Sequence, residues 1–183
     1  LTERGRKQAE YTGAYLRERY RNGFDTYYYS HYKRVQETGH IMFPDARFYE
    51  EPRLAEGSRG IWSEMTATEI AERYPHEAAR KQKEGHYDYR PIGGENWPDV
   101  EERIHSFLDT LARDCEGERV LIIVHGFWLH LFRHLVERFT VAETLEKFPG
   151  ENVKNASVTI YESELVRGRS RLIRKEFNLV PWE

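Results

Sequence analysis

The feature that most constrains the fold is a run of five apolar residues, Val-Leu-Ile-Ile-Val, at positions 120–124. Such a run, rich in β-branched residues, is typical of a strand buried on both faces of a parallel sheet. His125 and Gly126 end the run, and apolar residues at helical spacing follow over residues 127–136. The sequence therefore predicts a buried strand that turns directly into a helix, the basic unit of an α/β fold.

Helices and strands alternate along the rest of the chain. Helical patterns occur from Thr2, at about 34–42, from a Thr66/Glu69 capping box to about Pro75, and around 100–111. Further strands are predicted at 24–29, 157–161 and 171–177, the last two joined as a hairpin through Arg167 and Gly168. The prediction is a three-layer α/β/α sandwich with a mostly parallel sheet. It is a single domain over residues 1–183, because no repeat or long linker interrupts the 21.9 kDa chain.

Composition excludes several classes of partner. The 28 basic and 31 acidic residues leave a net charge of −3, which does not favour binding to nucleic acid or to an anionic membrane. No apolar run is long enough to span a bilayer, and the first residues lack the apolar core of a signal peptide. The single cysteine, Cys115, agrees with a reducing compartment. We therefore expect a cytoplasmic protein.

The segment 53–98 is a long and mostly polar connection. It contains five glycines, and its aromatic residues include two tryptophans and two tyrosines: Gly57, Gly60, Gly85, Gly93, Gly94, Trp62, Tyr87, Tyr89 and Trp97. Long loops in compact domains are often functional. We therefore predict that this connecting segment is a lid that sets specificity.

Two predicted strands end in polar side chains, Ser30 and His125. Ligands of open α/β sheets bind outside the carboxyl ends of the strands, so both side chains are expected to face one crevice. Arg34 follows four residues after Ser30 and suits a phosphate or a carboxylate. Glu56, in a glycine-rich loop, could donate a proton if its pKa is raised. Taken singly, each also fits an ordinary structural or solvated role.

Other chemistries find less support. The chain has no phosphate-binding P-loop, nucleophile elbow, zinc-protease helix or dinucleotide fingerprint. Cys115 is followed by Glu-Gly-Glu rather than by an arginine-bearing phosphate loop, which argues against a cysteine phosphatase. His130, His134 and Glu137 share a helical spacing that could bind a metal, but an ordinary helix face explains them better.

Six short motifs in a fixed order resemble those of the histidine phosphatase superfamily, the phosphoglycerate-mutase-like proteins. They are Leu1-Thr2-x-x-Gly5-x-x-Gln8-Ala9, Ser30-x-x-x-Arg34-x-x-x-Thr38, Arg53-Leu54-x-Glu56-x-x-x-Gly60-x-Trp62, Pro91-x-Gly93-Gly94-Glu95, Val124-His125-Gly126 and Asn155-Ala156-Ser157. Asn96 stands where the family usually has a serine after the glutamate. The resemblance covers nearly the whole chain and implies a phosphoglycerate-mutase-like fold.

The resemblance also implies roles for individual residues. The catalytic set that it implies is Arg34, Glu56 and His125, and the substrate-binding set is Ser30, Arg34, His125, Gly126 and Phe127. Glu56 would protonate the leaving oxygen, while the amide of Phe127 would help to bind the phosphoryl group. Arginine and a histidine imidazolium would supply the positive charge, so that neither a metal nor a cofactor is expected.

One departure from the family concerns the nucleophile. The family uses a histidine in an Arg-His-Gly motif on its first strand, and none of the eight histidines of this sequence lies in such a motif. We therefore expect that strand and histidine upstream of residue 1, in a hydrolase that acts on a small-molecule phosphomonoester through a phosphohistidine. The alternatives are an inactive phosphate-ligand or protein-binding module of the same fold, and a phosphoglycerate mutase. The absence of a mutase-like insertion rich in proline and tyrosine favours the phosphatase. The oligomeric state stays open, a homo-oligomer included.

Overall fold

Three short parallel strands form the sheet that supports the predicted crevice. The computed structural model describes residues 1–148 and 152–182. Strands β1 (Thr26–Tyr29), β2 (Phe48–Glu50) and β3 (Val120–Ile123) lie in the order β2-β1-β3. In this register Tyr29 lies opposite Ile123 on one side and Glu50 on the other. The carboxyl ends of the three strands therefore lie together at one end of the sheet.

A separate antiparallel hairpin follows near the C-terminus. It consists of β4 (Val158–Val166) and β5 (Arg169–Leu179). The turn residues Arg167 and Gly168 have φ values of 52° and 73°, as a tight two-residue hairpin turn requires. The predicted hairpin and its turn are confirmed.

The described part of the chain contains seven α-helices. They are α1 (Glu3–Arg19), α2 (Lys33–Met42), α3 (Ala67–Arg73), α4 (Pro75–Asp88), α5 (Trp97–Asp114), α6 (Gly126–Glu137) and α7 (Val141–Lys147). Among the predicted helix starts, the Thr2 cap and the Thr66/Glu69 capping box are both present. The α/β class with a parallel sheet is therefore confirmed.

Alternation along the strands divides the interior into two cores. Tyr28 and Ile122 point to the side of α5 and α6, where Val100, Ile104, Phe107 and Leu131 are fully buried. Tyr27 and Leu121 point to the opposite side, against Ala9, Leu16, Met42 and Phe43 of α1 and α2. Because successive residues of a strand face opposite ways, one short sheet separates two apolar layers of helices.

Three elements differ from the prediction. The connecting segment is largely helical rather than an extended loop, because α3 and α4 occupy much of it. The helix predicted to end near Pro75 is α3, which ends at Arg73, but Pro75 also opens a second helix, α4, in whose first turn a proline lacks no needed hydrogen bond. Helix α7 and the three-residue strand β2 were not predicted.

The single-domain prediction over residues 1–183 also includes residues 149–151 and 183, which lie outside the described ranges. None of the helices within the described ranges has the length and apolar character needed to cross a membrane.

Candidate active site

The carboxyl ends of β1 and β3 bring Ser30 and His125 together. Ser30 follows β1 directly, and its amide donates to the carbonyl of Ile123 at 3.2 Å. His125 lies two residues beyond that carbonyl and is the N-cap of α6. The parallel register therefore places both predicted residues in one crevice.

A short hydrogen-bond chain joins Arg34, His125 and Ser30. Arg34 Nη2 donates to His125 Nδ1 at 2.9 Å, and His125 Nε2 lies 2.9 Å from Ser30 Oγ. Because a guanidinium can only donate, Nδ1 must accept, which leaves the proton on Nε2 for donation to Ser30. The imidazole is thus fixed as one neutral tautomer.

Ser30 lies at the predicted strand end and contacts His125. Its exposed fraction is 0%, and its hydroxyl is engaged by His125. Contact of Ser30 with the substrate stays a prediction. Ser30 orients His125, whereas Arg34 is exposed and open to a ligand.

The charge on His125 also differs from the expectation of an imidazolium. Burial lowers the pKa of His125 to about 4, and the positive charges of Arg34, His31 and Arg103 act in the same direction. At neutral pH the histidine is therefore uncharged, and Arg34 carries the fixed positive charge of the pair. A phosphoryl dianion bound beside both residues would offset part of this shift.

Tyr32 is a site residue that the sequence analysis missed. Its ring lies under Arg34, 4.6 Å from the guanidinium carbon, and meets the His125 ring edge-on at 5.0 Å. Tyr32 is also the N-cap of α2, but its side chain does not cap the helix. The Val35 amide donates to the Tyr32 carbonyl at 2.8 Å, so the amides of Lys33 and Arg34 are the donors that α2 can offer an anion. The sequence feature that could have identified Tyr32 is its position, as an aromatic residue two positions before Arg34.

The side chain of Glu56 lies beside the first turn of α6, and its pKa is raised. Burial is the main cause, and it outweighs the hydrogen bonds from the amides of Gly57, Trp128 and Phe127 and the charge of Arg34. Gly57 donates to Glu56 Oε1 at 3.2 Å. The amide of Phe127 thus serves the carboxylate here, whereas the prediction assigned it to the phosphoryl group. A buried carboxyl with a raised pKa suits proton donation.

The backbone next to Glu56 is closely packed at Gly57 but not at Gly126. Gly126 opens α6, and among the described residues a Cβ placed there would meet Val153 at an ordinary distance of 3.8 Å. A Cβ at Gly57 would lie 2.4 Å from the ring of Phe127. The Phe127 ring therefore packs directly on the backbone next to Glu56.

The residues of the metal alternative have separate partners. His134 Nδ1 lies 2.7 Å from Thr144 Oγ1, whereas Glu137 accepts from Tyr161 at 2.5 Å and from Arg133 at 3.0 Å. Within the described ranges no three metal-ligating side chains form a cluster. Cys115 is buried away from the crevice, 3.9 Å from the hydroxyl of Tyr28.

The fold and the site together define a class of protein, an α/β fold that places an arginine and an imidazole at the carboxyl ends of its parallel strands. The profile of the histidine phosphatase superfamily (branch 1) matches residues 1–175. The chain therefore belongs to the histidine phosphatase superfamily.

Individual relatives include both phosphatases and mutases. The chain is 31% identical over 129 residues to phosphoserine phosphatase 1 of Hydrogenobacter thermophilus, covering 68% of this chain and 58% of that enzyme. It is 27% identical over 185 residues to a 2,3-bisphosphoglycerate-dependent phosphoglycerate mutase of Parvibaculum lavamentivorans, covering 96% and 83%. Among solved structures, YhfR of Bacillus stearothermophilus superimposes with a TM-score of 0.76 at 26% identity, covering 96% of this chain and 83% of YhfR. The chain thus matches less than two thirds of the phosphoserine phosphatase.

Proposed function

We propose that the protein is a phosphomonoester hydrolase that forms a phosphohistidine intermediate on a small-molecule substrate. The observation that carries this proposal is the convergence of Arg34, His125 and a protonatable Glu56 at the ends of β1 and β3. Phosphoryl transfer depends mainly on positioning and on neutralising the charge of the phosphoryl oxygens. Arg34 and the amides of α2 supply that function, and Glu56 supplies the proton.

The reaction has two steps. In the first, a histidine nitrogen forms a bond to phosphorus while the bond from phosphorus to the leaving oxygen breaks, and Glu56 gives its proton to that oxygen. In the second, the Glu56 carboxylate takes a proton from water. The water oxygen bonds to phosphorus, and the phosphorus to nitrogen bond breaks to release inorganic phosphate.

The nucleophilic histidine is proposed to lie on a strand upstream of residue 1. Two strands with an unpaired edge, β3 and β4, support this placement. Within residues 1–148 and 152–182, β3 pairs only with β1, and β4 pairs only with β5. The free edge of β3 ends beside His125, and exposed edges of this kind are normally paired or covered. A strand on that edge would bring its side chains to the same crevice.

The first test measures hydrolysis of p-nitrophenyl phosphate by the complete protein and its Arg34→Ala variant. Loss of the guanidinium should lower kcat/KM by roughly 10²–10³-fold, since it removes one preorganised charge from the transition state. Arg47→Ala is the matched control, because Arg47 also lies over a tyrosine, Tyr49, but on an exposed surface. Near-normal hydrolysis by the Arg34 variant would contradict the proposal.

Two further measurements separate the alternatives. An acid-labile phosphoryl label on the protein after a brief exposure to substrate supports the phosphohistidine, whereas phosphate binding without turnover supports the binding module. The relative that is a phosphoglycerate mutase justifies an assay for mutase activity as well. Phosphatase turnover well above mutase turnover is expected, since the mutase-like insertion is missing from the connecting segment. We further propose a cytoplasmic location, which the single cysteine supports.

A further inference from the structure

Glu56 lies in a short loop, residues 53–58, that is held at both of its ends by a single ion pair. Arg103 of α5 donates to the carbonyl of Arg53, at the start of this acid loop, at 2.7 Å. Glu95 accepts from the amide of Ser58, at the end of the loop, at 2.8 Å. The amide of Glu95 in turn donates to the carbonyl of Ser58 at 2.8 Å.

The two side chains that hold the loop are bound to each other. Arg103 Nε donates to Glu95 Oε1 at 2.9 Å, and Arg103 Nη2 donates to Glu95 Oε2 at 3.3 Å. The exposed fractions of the two side chains are 16% and 27%, so the pair is partly shielded from solvent. A planar guanidinium can make this two-pronged contact and still direct a third nitrogen to a carbonyl, which an ammonium cannot do.

The same carbonyl connects the acid loop to helix α6. Trp128 Nε1 donates to the oxygen of Arg53 at 2.8 Å, and the Trp128 side chain is only 2% exposed. One backbone oxygen therefore joins α5, α6 and the acid loop. Helix α6 starts at His125 and Gly126, so the contact fixes the carboxyl of Glu56 relative to the phosphate-binding crevice.

We infer that the Arg103/Glu95 ion pair is a positioning device for proton donation by Glu56. Neither side chain touches the reacting atoms, and both act through the acid loop. This inference rests on the proposed function, in which Glu56 protonates the leaving oxygen. Displacing a catalytic group slightly lowers the rate of the step that needs it, while binding and the other steps are less affected.

The leaving group provides the test. A p-nitrophenolate leaves readily without a proton, whereas an alkoxide needs one, so a fault in proton donation slows alkyl phosphates selectively. Arg103→Lys in the complete protein should lower kcat/KM for an alkyl phosphate by about tenfold or more, and kcat/KM for p-nitrophenyl phosphate much less, because kcat/KM reports the first step and not the later hydrolysis of the phosphohistidine. Glu95→Gln should give the same pattern, and it serves if the Arg103 variant folds poorly. Arg113→Ala is the control, because Arg113 lies on the same helix but pairs with Asp114 in solvent.

Glu56→Gln separates this inference from the proposed function. On its own it should show the same leaving-group dependence in kcat/KM with a larger loss, and adding Arg103→Lys should then cost little more, because both changes act on proton donation in the first step. Equal losses on both substrates in the Arg103 variant, or losses that multiply in the double variant, would overturn the positioning role. If Glu56→Gln shows no leaving-group dependence, the assignment of Glu56 as the acid fails, and the positioning role fails with it.

Discussion

At the scale of residues, the site separates its fixed charge from its buried donors. Arg34 is exposed and permanently charged, whereas His125 is buried and neutral with a pKa of about 4. The stacking of Arg34 on Tyr32 and its hydrogen bond to His125 hold the guanidinium in one orientation. Preorganised charge of this kind needs no reorganisation when a phosphoryl group binds.

Burial of Glu56 carries a cost in stability that its proposed role as proton donor explains. Its folded pKa lies above the unfolded value of 4.5, so the folded state disfavours the carboxylate at neutral pH. Glu56→Gln should therefore raise the melting temperature at pH 7 while lowering turnover of alkyl phosphates by about 10²-fold.

The pH dependence of the stability gain in Glu56→Gln tests whether the raised pKa of Glu56 is its cause. The gain in stability should shrink as the pH falls from the raised pKa towards 4.5, because the wild-type carboxyl becomes protonated there as well. Thermal unfolding at a series of pH values measures it, with Glu72→Gln on the exposed surface of α3 as the control. A Glu56 variant that is less stable than the wild type at pH 7 would contradict this account.

At the scale of elements, close packing of α1 on α2 sets the outer layer on one side of the sheet. Gly13 of α1 approaches the backbone at the end of α2, and a Cβ there would lie 2.7 Å from the Cα of Met42. The contact matters to the site because α2 also carries Arg34 in its first turn.

Gly13→Ala should destabilise the protein by about 1–3 kcal/mol, since backbone atoms must move to admit the methyl group. Gly5→Ala in the same helix is the matched control. Its Cβ would have its nearest neighbour at 3.4 Å, so the change should stabilise by about 0.5–1 kcal/mol through helix propensity. Denaturant unfolding of both variants gives the comparison. Equal effects of the two substitutions would show that the helix contact is not the cause.

The elements also show what a sequence can predict. Strand β3 and the hairpin turn were predictable because buried strands and left-handed turns demand particular residues, such as the apolar run and Arg167-Gly168. Helix α4 was missed because its residues are mostly polar and one proline can either stop or start a helix. For the site, strand ends predicted that Ser30 and His125 adjoin. The contribution of Arg103 depends on a tertiary contact with Arg53, 50 positions away along the chain, which no local pattern encodes.

At the scale of the whole molecule, the proposed anion site lies where the two helical layers meet. The first turn of α2 belongs to one core, α6 belongs to the other, and the sheet between them carries Ser30 and His125. A ligand that contacts both layers therefore stabilises the folded state as a whole, because the unfolded chain offers it no such arrangement.

Inorganic phosphate should accordingly raise the melting temperature of the complete protein. At a concentration 100 times its dissociation constant the gain is about 2.7 kcal/mol, which corresponds to roughly 5–11 °C for a domain of this size. The Arg34→Ala variant should lose most of this shift, because the neutral His125 cannot replace the missing charge. Arg47→Ala should retain it, since that guanidinium lies over Tyr49 on the exposed surface. Thermal scans across a phosphate titration make the measurement, and a shift that persists in the Arg34 variant would place the anion site elsewhere on the molecule.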